Sequence, residues 1–125
     1  MDRAEKGAEL KSRYNCCQAV LLAFEDKLPF GTEELLALGS GFGSGMGCLK
    51  ATCGALCGAA IAAGLLNDTG RPTSMLTRQV LAGFEEKCGA TICGDLKGVK
   101  TGKPLCSCED CVRNAVLSLE EVIGK

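Results

Sequence analysis

Apolar residues recur at three- and four-residue steps along most of the chain, a spacing typical of amphipathic helices. The first helix is expected over residues 2–27, where Asp2 can cap its start and Pro29 and Gly31 end it. Its predicted apolar stripe consists of Leu10, Tyr14, Cys17, Leu21, Phe24 and Leu28.

The remaining helices are separated by glycine, proline and polar residues. Thr32 can cap a short helix to about residue 38, and Ser107 can cap a last helix that runs to about residue 123. Between them we expect a glycine-rich loop, two longer helices and one short helical turn, at residues 39–47, 51–66, 73–87 and 91–96. The pattern predicts an all-α fold: one cysteine-rich domain over residues 1–125, a bundle of about five helices with a Gly-rich loop before a small-residue central helix.

The central helix at residues 51–66 carries no charge and is rich in glycine and alanine. Gly54 and Gly58 are four residues apart, so one face is nearly bare backbone and a neighbouring helix can approach closely. The apolar run is shorter than the roughly 20 residues that a membrane span needs. The N-terminus is charged and has no apolar signal segment, so we expect a cytoplasmic protein without a membrane span.

Charge and composition exclude several classes of function. The 14 basic and 15 acidic residues are interspersed, without the basic stripe that binds nucleic acid. Histidine is absent, which excludes Ser–His and Cys–His dyads. Any metal site built from the chain must use cysteine, carboxylate or backbone ligands.

Ten cysteines are the main chemical feature of the chain. A cytoplasmic protein keeps its thiols reduced unless they are catalytic or bind metal. Ten cysteines in one such chain therefore indicate a function for the set. Cys17, Cys57 and Cys88 lie in apolar contexts and are individually expected to be core residues, since free cysteine packs as a small hydrophobe. Cysteines on different helices can converge to form a zinc site or hold an iron–sulfur cluster.

One cysteine pair has a spacing of its own. Cys108 and Cys111 form a C-x-x-C at the start of the last predicted helix, where free N–H groups favour a thiolate. Glu109 and Asp110 oppose this effect by like charge. Cys108 and Cys111 are therefore the candidate catalytic thiols of a dithiol–disulfide reaction.

The order of motifs resembles a family of redox-active proteins named for the pattern C-GCAxxG-C-C. The similar segments are residues 14–20, the glycine loop at residues 41–47, residues 52–59, residues 84–93 and Cys111-Val112, and the resemblance extends from about residue 12 to residue 123. Gly54, Ala55 and Gly58 fit the rest of the named motif, although Gly54 separates a cysteine and an alanine that are adjacent in the name.

The resemblance implies a helical domain with redox activity, and it assigns the family cysteines to Cys16, Cys53, Cys93 and Cys111, with Cys108 competing for the last place. Our leading hypothesis is that these four converge as ligands of an iron–sulfur cluster or zinc in a redox or electron-transfer protein, which then needs a redox partner protein. Two alternatives stay open: metal-free dithiol–disulfide chemistry, and a structural zinc or interaction module.

Overall fold

A computed structural model describes residues 2–124 of the chain. The described residues form seven α-helices joined by short 3₁₀ and π turns, and no β-strand occurs among them. In chain order the helices are α1 (Arg3–Leu10), α2 (Cys16–Ala23), α3 (Thr32–Gly39), α4 (Gly54–Leu66), α5 (Thr73–Cys88), α6 (Cys93–Lys97) and α7 (Cys108–Ile123). The all-α prediction is confirmed, but the expected number of about five helices is too low.

The largest error lies in the first predicted helix, which is two helices. Helix α1 ends at Leu10, and α2 begins at Cys16 after a turn. Asn15 accepts a hydrogen bond from the Gln18 backbone N–H (2.8 Å), and Gln18 accepts one from the Asn15 N–H (3.0 Å). This capping box starts a new helix, whereas the apolar stripe continues across the break and gave no sign of it.

Two other boundaries differ from expectation. Thr32 is the first residue of α3 rather than its cap, because Gly31 occupies the capping position and its N–H donates to Glu34. Helix α4 begins at Gly54 rather than near residue 51, because Thr52 forms an antiparallel bridge with Ile92. That bridge holds the preceding backbone in an extended conformation.

The small-residue face of α4 packs against α2. A Cβ added to Gly58 would lie 2.7 Å from the Cys17 carbonyl oxygen and 3.0 Å from the Val20 Cβ. Alanine at this position would therefore force the two helices apart. Each of the seven helices contributes to one apolar core, with Phe24, Phe84 and Leu119 among its fully buried side chains.

Helix α7 completes the bundle by packing against α1 and α5. Gly7 of α1 lies against Val112 of α7, where an added Cβ would come within 3.0 Å of the valine side chain. Arg113 pairs with Glu5 across the same contact. No helix within residues 2–124 combines the length and apolar character that crossing a membrane requires.

Candidate functional site

Six cysteine side chains line one cavity of about 60 Å³ at one end of the bundle. Its volume exceeds what a single water molecule needs, so an ion or a small inorganic group fits inside. Its walls also carry Lys11, Asn15, Ser44, Gly54, Leu96 and Lys97. The cysteines are Cys16, Cys53, Cys93, Cys106, Cys108 and Cys111.

Helix starts bring most of these cysteines together. Cys16, Cys93 and Cys108 are the first residues of α2, α6 and α7, Cys53 immediately precedes α4, and Cys111 lies in the first turn of α7. The first backbone N–H groups of a helix lack intrahelical partners and carry partial positive charge. The N-termini of α2, α4 and α7 therefore make this end of the bundle favourable for thiolates.

A short backbone bridge joins two of the cysteines. The Cys53 N–H donates to the Thr91 carbonyl (2.8 Å), and the Cys93 N–H donates to the Ala51 carbonyl (3.0 Å). These hydrogen bonds flank the Thr52–Ile92 pair. Cys53 and Cys93, 40 positions apart in sequence, are thus fixed side by side at the cavity.

The glycine-rich loop covers another wall of the cavity in an unusual backbone conformation. Ser44 and Met46 in the loop and Leu49 just after it have positive φ angles of 53°, 59° and 66°, although none is glycine. Gly45 packs so closely that an added Cβ would lie 2.7 Å from the Cys93 Cβ. Such backbone strain is typically found at functional sites. The loop also contacts Cys48, whose thiol donates to the Gly45 carbonyl (3.5 Å).

Cys53 is the most acidified thiol of the site. Hydrogen bonds from the Cys111 and Cys16 thiols, aided by the N–H groups of Ala55 and Leu56, lower the pKa of Cys53 to about 3 against the opposing effect of burial. The two N–H groups lie at the start of α4, although neither forms a full capping hydrogen bond. The hydrogen bonds that the two donor thiols make raise the pKa of both, and burial adds to the effect. Cys16 is bonded to Cys108 and Cys53, and Cys111 is bonded to Cys53 and Cys88.

Cys108 is a second acidified thiol, and it is partly accessible. A hydrogen bond from Cys16 is the main cause that lowers the pKa of Cys108 to about 6, with smaller contributions from the positive charges of Lys97 and Lys11. We expected one thiol of the C-x-x-C to be acidified by the helix N-terminus. The direction agrees, but the principal cause is the neighbouring thiol Cys16.

A group of three thiols lies beside the cavity, formed by Cys88, Cys106 and Cys111. Their sulfur atoms all lie within 4.8 Å of one another. The Cys106 Sγ donates to the Cys88 Sγ at 3.3 Å, and the Asn114 amide donates to the same Cys88 sulfur at 3.2 Å. Hydrogen bonds led by that from Cys111 lower the pKa of Cys88 to about 6, whereas burial and Cys88 raise the pKa of Cys106 to about 12.

The structure brings the four predicted metal cysteines to one cavity, with Cys16, Cys53, Cys93 and Cys111 all on its walls. The two predicted catalytic thiols also line it, but their principal partners differ. Cys108 interacts with Cys16, whereas Cys111 interacts with Cys53 and Cys88. Their assignment as a catalytic pair stays a prediction.

Sequence reasoning treated three cysteines as core residues, with different outcomes. Cys17 is fully buried, and burial raises its pKa to about 12. Cys57 is half-buried with a pKa raised by burial. Cys88 is buried as expected, but it contacts two other thiols rather than only apolar groups.

The sequence reasoning missed Cys106 and the two lysines at the cavity. Cys106 lies two residues before Cys108 in the loop that leads to α7, so its nearness to the predicted site was visible in the spacing. Lys11 and Lys97 had no such signal, because neither stands in a motif. Lys11 reaches the cavity through the unexpected break between α1 and α2.

Comparison with known proteins identifies one family. The family described as "Putative redox-active protein (C_GCAxxG_C_C)" matches residues 14–122 of this chain. No curated protein and no solved structure shows significant similarity to this chain. The matched segment contains all six cysteines of the cavity wall.

Proposed function

Since the chain belongs to the C-GCAxxG-C-C family of redox-active proteins, we propose that it is an electron-transfer protein whose cavity holds an iron–sulfur cluster. The proposed ligands are Cys16, Cys53, Cys93 and Cys111. The observation that carries the proposal is the convergence of these cysteines, which belong to four different helix starts, on one cavity.

The spacing of the thiols favours a cluster over a single zinc ion. Within residues 2–124, the only group of at least three cysteine, histidine or acidic ligand atoms that all lie within 4.8 Å of one another is Cys88, Cys106 and Cys111. Tetrahedral zinc, with zinc–sulfur bonds of about 2.3 Å, holds its sulfur ligands roughly 4 Å apart. No three of the proposed ligands lie mutually within that distance, although Cys53 is hydrogen bonded to both Cys16 and Cys111. A group with several iron atoms can use such an unequal set of thiols, whereas one zinc ion needs all four sulfurs close together. Zinc would also supply no redox chemistry.

The surroundings of the cavity suit a negatively charged thiolate centre. The N–H groups at the start of α4 favour a thiolate at Cys53, and Lys11 and Lys97 add positive charge at the cavity wall. Cys53, Cys93 and Cys111 are buried, so the protein limits water access to three of the proposed ligands. Hydrogen bonding, charge and burial are the means by which a protein tunes the reduction potential of such a cluster.

The cluster would supply the one-electron chemistry, and the chain would hold it, orient it and set its access to solvent. Cys16 is the more accessible proposed ligand, so an electron donor or acceptor protein would approach on that side. Because labile clusters and free thiols both need reducing conditions, we place the protein in the cytoplasm. We propose a redox protein as partner rather than nucleic acid or a membrane.

The proposal is tested on protein purified without oxygen. We expect brown protein with visible absorption and with iron and acid-labile sulfide in near-stoichiometric amounts, and we expect the absorption to bleach on reduction. Colourless protein that contains zinc would support a structural site instead. Protein that stays colourless and free of iron after reconstitution with iron and sulfide would contradict the proposal.

A second candidate is metal-free thiol exchange at Cys108 and Cys16. The favouring observation is that Cys108 is partly accessible and that Cys16, its thiol neighbour, lowers the Cys108 pKa to about 6. Such a thiol is largely ionised at neutral pH and attacks disulfides. Rapid reduction of a small disulfide substrate by iron-free protein, abolished in Cys108→Ser and retained in Cys48→Ser, would support this candidate.

A further inference from the structure

Cys88 and Cys106 lie outside the four positions that correspond to the family cysteines. Cys88 is the last residue of α5, and Cys106 belongs to the loop that leads into α7. Their sulfur atoms lie 3.3 Å apart, and the Cys106 thiol donates a hydrogen bond to Cys88. A disulfide requires about 2.05 Å between the sulfurs, so a closure of roughly 1 Å separates this contact from a covalent bond.

The contact is supported by further polar groups. The Asn114 side chain, one turn beyond Cys111 on α7, donates to the Cys88 sulfur at 3.2 Å and reaches the Cys106 sulfur at 4.0 Å. One amide thus holds both sulfur atoms on the same side of α7. This arrangement orders the two side chains in advance, which lowers the entropy cost of joining them.

We propose that Cys88 and Cys106 form a two-electron dithiol–disulfide couple beside the cavity, with a low-molecular-weight disulfide such as oxidised glutathione as its oxidant. The couple does not depend on the proposed cluster, since neither cysteine is among its proposed ligands. It adds a thiol exchange site to the one-electron centre proposed above.

The accessibility of the two cysteines sets the order of the steps. Cys106 is half-buried and lines the cavity, whereas Cys88 is buried. The Cys106 proton passes to the Cys88 sulfur along their hydrogen bond, and the Cys106 sulfur bonds to one sulfur of the small disulfide, whose S–S bond breaks to release the first small thiolate. The Cys88 sulfur then attacks Cys106, and the second small thiol leaves with the Cys88 proton. In total, two protein thiols are oxidised to one disulfide, and one small disulfide is reduced to two thiols.

Oxidation of the couple would also change the surroundings of Cys111, whose sulfur lies within 4.8 Å of both partners. Cys111 is hydrogen bonded to Cys88 in the reduced protein. The change around Cys111 affects electron transfer only if Cys111 is a cluster ligand, so this one consequence rests on the proposed function. The disulfide couple itself does not.

The test is disulfide mapping on the full chain, equilibrated without oxygen in buffers of reduced and oxidised glutathione. Free thiols are alkylated and the protein is digested with trypsin, which separates residues 88–97 from residues 101–113. We expect two of the ten thiols to escape alkylation and a crosslink between the two peptides, which fragmentation assigns to Cys88 and Cys106. The crosslink should disappear when reduced glutathione is in excess.

Variants distinguish this couple from other thiol pairs. Cys106→Ser should abolish the crosslink, whereas Cys48→Ser, which removes an exposed cysteine elsewhere, should preserve it. Circular dichroism would verify that both variants fold.

A crosslink through Cys93, Cys108 or Cys111 in the wild-type protein would overturn the proposal, as would alkylation of both Cys88 and Cys106 in every buffer. Stoichiometric zinc that resists chelation and needs all of Cys88, Cys106 and Cys111 would also overturn it, in favour of a three-thiolate metal site. Iron and sulfide content is measured on the same samples, so the cluster and the couple can fail independently.

Discussion

Two pairs of cysteines on neighbouring helices show how position decides chemistry. Cys16 and Cys17 are adjacent at the start of α2, and Cys53 and Cys57 are separated by one turn at the start of α4. In each pair the first cysteine lines the cavity with other thiols, whereas the second packs at the α2–α4 contact. The residue type is the same, but the surroundings differ.

The surroundings explain the different thiol pKa values at the two places. Hydrogen bonds from thiols and the N–H groups at the start of α4 lower the pKa of Cys53. Burial raises the pKa of Cys17 and of Cys57, with a smaller contribution from Cys53. The acidified thiol Cys53 therefore lies beside other thiols at a helix start, whereas Cys17 and Cys57 lie where two helices pack together.

The largest expected effect separates the two cysteines of α4. Cys53→Ser removes a proposed ligand at the centre of the thiol network, so iron content after anaerobic reconstitution should fall at least tenfold. Cys57→Ser changes a half-buried side chain away from the cavity and should keep the wild-type iron content. Equal iron content in the two variants would show that Cys53 is not a ligand of the iron.

The next effect concerns the reactivity of Cys108 in reduced, metal-free protein. Because its pKa is lowered to about 6, its thiolate persists above pH 6, and its alkylation rate should fall about tenfold per pH unit well below that value. Mass spectrometry of iodoacetamide-treated protein measures this rate. Cys16→Ser weakens the hydrogen bond that mainly lowers the Cys108 pKa, so the midpoint of the alkylation rate should move to higher pH. A midpoint near that of ordinary cysteine, about 8.5, in the wild-type protein would contradict the prediction.

The packed region is tested by two glycines of the same helix. Gly58→Ala places a methyl group 2.7 Å from the Cys17 carbonyl, and such overpacking should lower the free energy of unfolding by about 1–3 kcal/mol. Gly64 is exposed and has only Thr73 near its added Cβ, at 3.9 Å. Gly64→Ala should therefore stabilise the protein by about 0.5–1 kcal/mol. Urea denaturation measures the free energy of unfolding of both variants. Equal destabilisation by the two would show that close packing of Gly58 against α2 is not the cause.

A smaller effect is expected at the break between α1 and α2. Asn15→Ala removes the side-chain acceptor for the Gln18 N–H and should cost about 1 kcal/mol of unfolding free energy. The control Ser12→Ala alters an exposed hydroxyl in the same turn and should stay within about 0.5 kcal/mol of wild type. Thermal denaturation of both variants measures the effect. A stability of Asn15→Ala equal to that of the wild type would show that the cap contributes little.

The sequence was informative where a local pattern determines the structure. Periodicity predicted the helical class, and the small residues Gly54 and Gly58 predicted the close helix contact. The break before Cys16 was missed although Asn15 and Gln18 signal it, because the apolar stripe runs through it. The contact between Cys88 and Cys106 depends on how the end of α5 meets the loop before α7, and no local pattern encodes such a tertiary contact.

The proposed iron–sulfur site requires four cysteines from separate helix starts to bind one group together. It is tested most directly by alkylating all ten cysteines with and without anaerobic reconstitution by iron and sulfide, and by mapping the label at each position. We expect Cys16, Cys53, Cys93 and Cys111 to become protected from alkylation together, whereas Cys48 and Cys57 should be labelled as before. Protection confined to Cys88, Cys106 and Cys111, or labelling unchanged at every position, would contradict it.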